Sequence, residues 1–179
     1  MLVEFLGEEI YDRFWLSVQT NHSKLNKNVL LERDEAVALY AYTNVYPPFY
    51  DAINGALREG DAGHFLIALL DQAIAKLPNY SSNIVYRWTS PPIEQIKALE
   101  RGSLVEELGY VSTLKEPNEL DMVDGDCLLF SIYHLSGRDI SLYSDDFSSA
   151  IQEVLIPRGA SFLKVELLSS DFDMSLKQT

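Results

Sequence analysis

The 179-residue chain is 47% hydrophobic and 11% aromatic, enough apolar material for a packed core, and its length fits one domain. Twenty-seven acids against fourteen bases give a net charge of −13, which disfavours nucleic acid and anionic lipid and leaves protein or small-molecule partners; it also serves plain solubility. The single cysteine, Cys127, excludes an internal disulfide and a four-cysteine zinc site, and His22, His64 and His134 share no metal-ligand spacing, so no metal is expected.

The N-terminus, MLVEFLGEEIYDRF, lacks the basic region and long apolar core of a signal peptide. No run reaches the roughly 18 apolar residues of a membrane span. The chain is therefore expected in a cytoplasm at synthesis, with any export by a route independent of a signal peptide.

The first half reads as helical. Ile10, Phe14, Leu16 and Val18 recur at near-helical spacing. Residues 33–43, RDEAVALYAYT, offer Asp34 as an N-cap, and Pro47-Pro48 breaks the chain after them. In FYDAINGALREG, Phe49, Ile53, Ala56 and Leu57 share a face and Gly60 supplies a C-terminal stop. The strongest helix is 63–79, with a stripe of Leu66, Leu69, Leu70, Ala73, Ile74 and Leu77 ended by Pro78. GDAG at 60–63 is a turn between helices.

The period then changes. NIVYRW, residues 83–88, is β-branched and aromatic, hence a strand. PPIEQIKALERG is a short helix or turn closed by Gly102. Strands follow near 108–113 and in DCLLFSIYHLS, with Cys127 expected as a small buried hydrophobe. RDISLYS is a short strand or loop edge, and EVLIPRG and ASFLKVELLSS are strands joined by a Pro-Arg-Gly turn. Helices first and strands later predict an α+β fold: N-terminal helices, to about residue 80, packed on a mostly antiparallel β-sandwich over about 83–168.

Three short signals carry chemistry. Arg87 sits mid-strand between Tyr86 and Trp88, where it must pair with an anion or face solvent. Ser112 and Thr113 end a strand before a polar loop, where hydroxyls orient a carboxylate or cap a turn. Glu153 enters the apolar run Val154-Leu155-Ile156, as a catalytic carboxylate or a solvated charge at a strand end. No glycine-rich phosphate loop is present. Asp145-Asp146 lacks the ligand ladder of a calcium site, and His134 builds a Ser/His/Asp triad only on paper.

Taken in order, these signals resemble the mono-ADP-ribosyltransferase family, in its branch with an Arg…Ser-Thr-Ser…Glu-x-Glu signature. The resemblance runs from about residue 30 to 168. It rests on Tyr42-Thr43 and Ile53-Asn54…Leu57-Arg58, on LDQAIAKLPNYSSNIVYRW, on GYVSTL, and on LLFSIYHLSGRDISLYS and EVLIPRGASFLKV. It implies NAD as substrate, cleavage of the nicotinamide–ribose bond through an oxocarbenium-like transition state, and transfer of ADP-ribose to a protein acceptor, as a toxin or effector does. By motif position, Arg87 would hold the diphosphate, Glu153 the ribose 2′-hydroxyl and developing charge, and Ser112 would steady that carboxylate and shape the nicotinamide pocket. Thr113 would support the strand and Trp88 would meet the nicotinamide through its backbone, both counted with the NAD-binding residues. The loop YSDDFSSAI, with Phe147, Ile151 and Gln152, would meet the acceptor, although Phe147 is equally suited to folding into the core.

The chain departs from the pattern at three places. Leu114 replaces the third residue of Ser-Thr-Ser, Trp88 stands where glycine is common, and Ile151 stands where an acid or glutamine serves the acceptor. Gln152 is adjacent, but strand alternation turns it away from Glu153. A silent domain of this fold that binds NAD or a protein, and an unrelated α+β binding protein, are the alternatives.

Overall fold

A computed structural model describes residues 1–44, 46–117, 127–144, 152–166 and 172–179. Five helices come first: α1 (Leu2–Leu6), α2 (Glu8–Lys24), α3 (Arg33–Thr43), α4 (Phe49–Arg58) and α5 (Phe65–Lys76). Then follow β1 (Ile84–Thr89), α6 (Ile93–Glu100), β2 (Val105–Glu107), β3 (Val111–Leu114), β4 (Leu128–Tyr133), β5 (Arg138–Asp139), a 3₁₀ turn (Ser141–Tyr143), β6 (Glu153–Ile156), β7 (Ala160–Val165) and β8 (Met174–Gln178). The expected α+β division holds.

Helix α3 starts two residues earlier than an Asp34 cap would place it. Its N-cap is Glu32, whose side chain accepts from the N3 backbone while Glu35 accepts from the Glu32 amide at 3.0 Å. Asp34, the expected cap, instead accepts from the Tyr11 hydroxyl and ties α3 to α2. Glu35 also pairs with Lys76 at 2.6 Å, joining α3 to α5. Helix α4 ends at Arg58, and Gly60 turns the chain at φ 84°. Glycine is suited to that left-handed geometry, since it has no Cβ to clash.

The strands form one eight-stranded sheet of order β2-β7-β8-β4-β1-β3-β6-β5. Among the described residues β4–β8 is parallel and the other neighbours are antiparallel. Val111 of β3 and Phe162 of β7 line one pocket although three strands separate them, so the sheet curls over on itself. The expected sandwich is thus two halves of a continuous sheet. Inside the curl lie Val85, Phe130, Ile132, Val154, Ile156, Phe162 and Leu176, capped by Leu99 of α6. The opposite face packs on the helices through Leu155, Ile140, Tyr110 and Tyr143.

Strand β8 lies beyond the strand-rich region expected from sequence, yet it occupies the middle of the sheet. Met174 and Leu176 point inward, and the Ser175 hydroxyl lies 2.7 Å from that of Ser131 on β4. Cys127 is half-buried at the start of β4, with its sulfur 3.3 Å from the Ser90 hydroxyl, rather than enclosed in the core.

Candidate active site

Strand pairing brings the expected carboxylate and hydroxyl together. In the β3–β6 ladder Leu114 faces Glu153 and Ser112 faces Leu155. Ser112 and Glu153 are therefore diagonal neighbours on one face, within reach of each other's side chains. The Ser112 hydroxyl donates to Glu153 Oε1, and the Ser144 hydroxyl donates to Oε2 at 3.3 Å. Glu153 is only 8% exposed. It is not a solvated acid at a strand end. Burying a carboxylate is costly unless hydrogen bonds compensate, and these hydroxyls do so. Leu114, the departure from Ser-Thr-Ser, is the direct cross-strand partner of Glu153 and gives it an apolar flank.

Thr113 is 1% exposed and its hydroxyl donates to the Val154 carbonyl at 2.6 Å. It braces the β3–β6 ladder. Arg87 donates from Nη1 to the Ser112 carbonyl at 2.8 Å and, among the described residues, makes no ion pair. Its desolvation pulls the guanidinium pKa down, against the pull of Tyr42, Glu107 and Glu153 in the other direction. A partly buried cation with one carbonyl partner is prepared for an anion. Trp88 lies half-buried next to it, and alternation sends its ring to the other face of β1.

Arg87 also lines a pocket of about 350 Å³ with Arg58, Gln95, Glu107, Val111 and Phe130. Arg58 was not among the expected site residues, although the Leu57-Arg58 pair was legible in the motif. It pairs with Glu107 at 3.0 Å, and the same Glu107 oxygen accepts from the Gly109 amide at 2.9 Å. Val111 lines this pocket while Ser112 and Glu153 do not, yet Arg87, Arg58 and Glu153 all act on the Tyr42 hydroxyl, so the three charges are neighbours. A larger hollow of about 790 Å³, lined by Asn83, Tyr133, His134, Leu135, Val165, Glu166 and Lys177, contains none of the expected residues.

Asn54 and Tyr42 belong to the motif read in the sequence, which assigned them no role. Asn54 of α4 accepts from the Tyr110 amide at 3.0 Å and donates to the Tyr42 hydroxyl at 3.1 Å, fixing the approach to β3. Tyr42 is buried, which raises its pKa, and Arg87 and Glu153 both act on it. At the far end of β6, Arg158 grips Asp71 at 2.8 Å, and the Tyr110 hydroxyl donates to Asp71 at 2.7 Å.

Gln152 is exposed and points to Lys115, which donates to its side chain at 3.1 Å and to Asp139 at 2.7 Å. It is thus engaged away from Glu153. Phe147, Ile151 and Asp145-Asp146 lie outside the described residues. His134 is a structural residue: its Nε2 lies 2.7 Å from the Ser82 carbonyl and its Nδ1 accepts from the Gly137 amide at 3.0 Å. Among the described residues no three His, Cys, Asp or Glu side chains cluster as a metal site, and no helix is long and apolar enough to cross a membrane.

Helices followed by this curled sheet are the fold of the ADP-ribosyltransferase toxins. Exoenzyme S from Pseudomonas aeruginosa, solved with human 14-3-3 protein beta and bound to carba-NAD, is similar with a TM-score of 0.70 at 22% identity, over 99% of this chain and 84% of that one. The C3 exoenzyme of Clostridium limosum is similar with a TM-score of 0.65 at 19% identity, over 94% of each chain. HopU1 of Pseudomonas syringae gives 0.64 at 18% identity, over 96% of this chain and 87% of that one. Among curated proteins none matches this chain. Residues 18–172 match the ADP-ribosyltransferase exoenzyme family, and the chain belongs to that family.

Proposed function

We propose that the chain, read as one ADP-ribosyltransferase-like unit over residues 1–179, cleaves NAD and transfers ADP-ribose to a protein acceptor, as an exported effector. The observation that carries this reading is the joint anchoring on Ser112. Its hydroxyl holds the buried Glu153 carboxylate and its carbonyl holds the Arg87 guanidinium. One short strand therefore fixes both the anion and the cation that this chemistry requires.

The NAD diphosphate meets Arg87, with Arg58 in the same pocket as a second cation. The bond between ribose C1′ and the nicotinamide nitrogen breaks heterolytically, and its electron pair leaves with nicotinamide. Glu153, ionised, accepts from the ribose 2′-hydroxyl and stabilises the positive charge developing on the sugar. An acceptor nucleophile then bonds to C1′ and releases its proton. In this reading Ile151 supplies no base for that proton, so the acceptor is one that needs little activation or finds its base on the target.

The purified chain should be incubated with labelled NAD and a cell lysate beside its Glu153→Gln variant. Label on a discrete protein band with wild type alone supports the transferase. Nicotinamide released equally by both proteins would remove Glu153 from the chemistry. A silent NAD-binding domain is the second reading, favoured by apolar Leu114 against Glu153. Protection by NAD against thermal unfolding, with no nicotinamide released, would select it.

A further inference from the structure

The segment before β6 holds Glu153 at more points than the Ser112 contact. The Glu153 carbonyl accepts from the Ile140 amide at 3.1 Å and from the Ser141 hydroxyl at 3.3 Å. The Ser144 hydroxyl reaches Oε2 of the same residue, and Ser144 is itself 4% exposed. This segment is in turn fastened to a helix more than a hundred residues away in sequence. Asn21 of α2, 7% exposed, donates from Nδ2 to the carbonyls of Ser144 at 3.2 Å and Leu142 at 3.4 Å. The Tyr143 hydroxyl accepts from the Leu30 amide at 3.2 Å, and the Tyr143 ring meets His22 edge-on at 4.7 Å. A buried side-chain amide spent on two backbone carbonyls of a short turn fixes that turn's rotation. The direction of the Ser144 hydroxyl is set by that rotation.

We infer that Ser144 is a positioning residue for the Glu153 carboxylate and that Asn21, from the first long helix, holds Ser144 in place. Ser112 and Ser144 then hold one carboxylate oxygen each, the first from β3 and the second from just after the 3₁₀ turn. Glu153 keeps a single rotamer and its ionised form is favoured, because hydroxyl donors stabilise the anion. Of the other groups facing it, Arg87 on β1 favours the same form, while Tyr42 on α3 is neutral at working pH. The role is separable from that of Ser112, whose carbonyl also anchors the arginine.

The test measures the carboxyl directly. Side-chain ¹³C-labelled glutamate, with the Glu153 signal assigned by Glu153→Gln, is titrated by NMR in wild type, Ser144→Ala, Ser144→Thr and Asn21→Ala. Loss of one charge-assisted hydrogen bond raises the Glu153 midpoint in Ser144→Ala by about one pH unit, and Ser144→Thr restores it. Asn21→Ala moves it the same way by a smaller step. The kinetic arm rests on the NAD-cleaving reading: kcat falls about tenfold in Ser144→Ala at nearly constant KM, with the acidic limb of the pH profile shifted upward. An unmoved midpoint in Ser144→Ala overturns the inference whether or not the protein cleaves NAD. A folded Asn21→Ala protein with the wild-type midpoint overturns the part assigned to α2. Absence of NAD cleavage with the midpoints shifted as expected would instead overturn only the transferase reading.

Discussion

Gly109 lies where β3 approaches α4, and replacing it by alanine tests how the site strand is held. An added Cβ would lie 2.7 Å from Asn54 Oδ1, 3.0 Å from its Cγ and 3.2 Å from its Cβ. Contact extends to Asn54 Cβ, so the whole side chain must swing aside and not only its tip. That motion breaks the bonds of Asn54 with the Tyr110 amide at 3.0 Å and the Tyr42 hydroxyl at 3.1 Å. Two such bonds at about 0.5–1.5 kcal/mol each make Gly109→Ala destabilising by about 1–3 kcal/mol. For a chain of this size the melting temperature falls by about 3–10 °C, read by circular dichroism or calorimetry. The double-mutant cycle is decisive. In an Asn54→Ala background the contacts at 2.7 and 3.0 Å are gone and only the Cβ at 3.2 Å remains, so Gly109→Ala should cost clearly less there than in the wild type. An equal cost in both backgrounds, or none in the wild type, would refute the account.

Other consequences are open to measurement. Arg87→Lys keeps the charge but loses the planar fork, so KM for NAD should rise about tenfold, about 1.4 kcal/mol, with an unchanged melting temperature. Tyr110→Phe removes a donor to Asp71 and should cost about 1.5 kcal/mol in urea unfolding; a neutral result would show that Arg158 alone satisfies Asp71. Burial lowers the pKa of both His22 and His134. Their folded values lie below the unfolded one, so their contribution to stability is complete above about pH 6.5 and is lost as pH falls through the folded values. Urea midpoints should therefore drop between pH 7.5 and 5.5. His134→Gln should flatten that slope, because protonating Nδ1 removes the acceptor of the Gly137 amide.

Helices α4 and α5 were legible because local periodicity reports their apolar faces, whereas α3 buries an unbroken run from Glu35 to Tyr42 and was read from its helix-forming residues and the Pro47-Pro48 break after them. The cap of α3 was not, since Glu32 and Asp34 are chemically alike and only the tertiary pull of Tyr11 on Asp34 separates them. Strand β8 was missed because five residues, Met174–Gln178, carry a weak alternation whose partners lie on β4 and β7. Arg87, Ser112 and Glu153 were found through the order of motifs, and spacing alone left each with a bland alternative. Asn21 and Ser144 were not singled out from the sequence, and Asn54 appeared in it only as part of a motif, without a role. They are ordinary polar residues whose work depends on what lies across the fold from them.

The place of β8 has a consequence for how the chain acquires its structure. It separates β7 from β4 in the sheet. Until residues 174–178 have left the ribosome, a nascent chain has β2-β7 on one side and β4-β1-β3-β6-β5 on the other, with no backbone bridge between them. Among the described strands, the one made after all the others is the one that joins them. Before it arrives, the edges of β7 and β4 remain unpaired and open to sticky association, as exposed sheet edges are. Synthesis order thus delays closure of the curled sheet, and with it the pocket that Arg87 lines, until translation has passed residue 178.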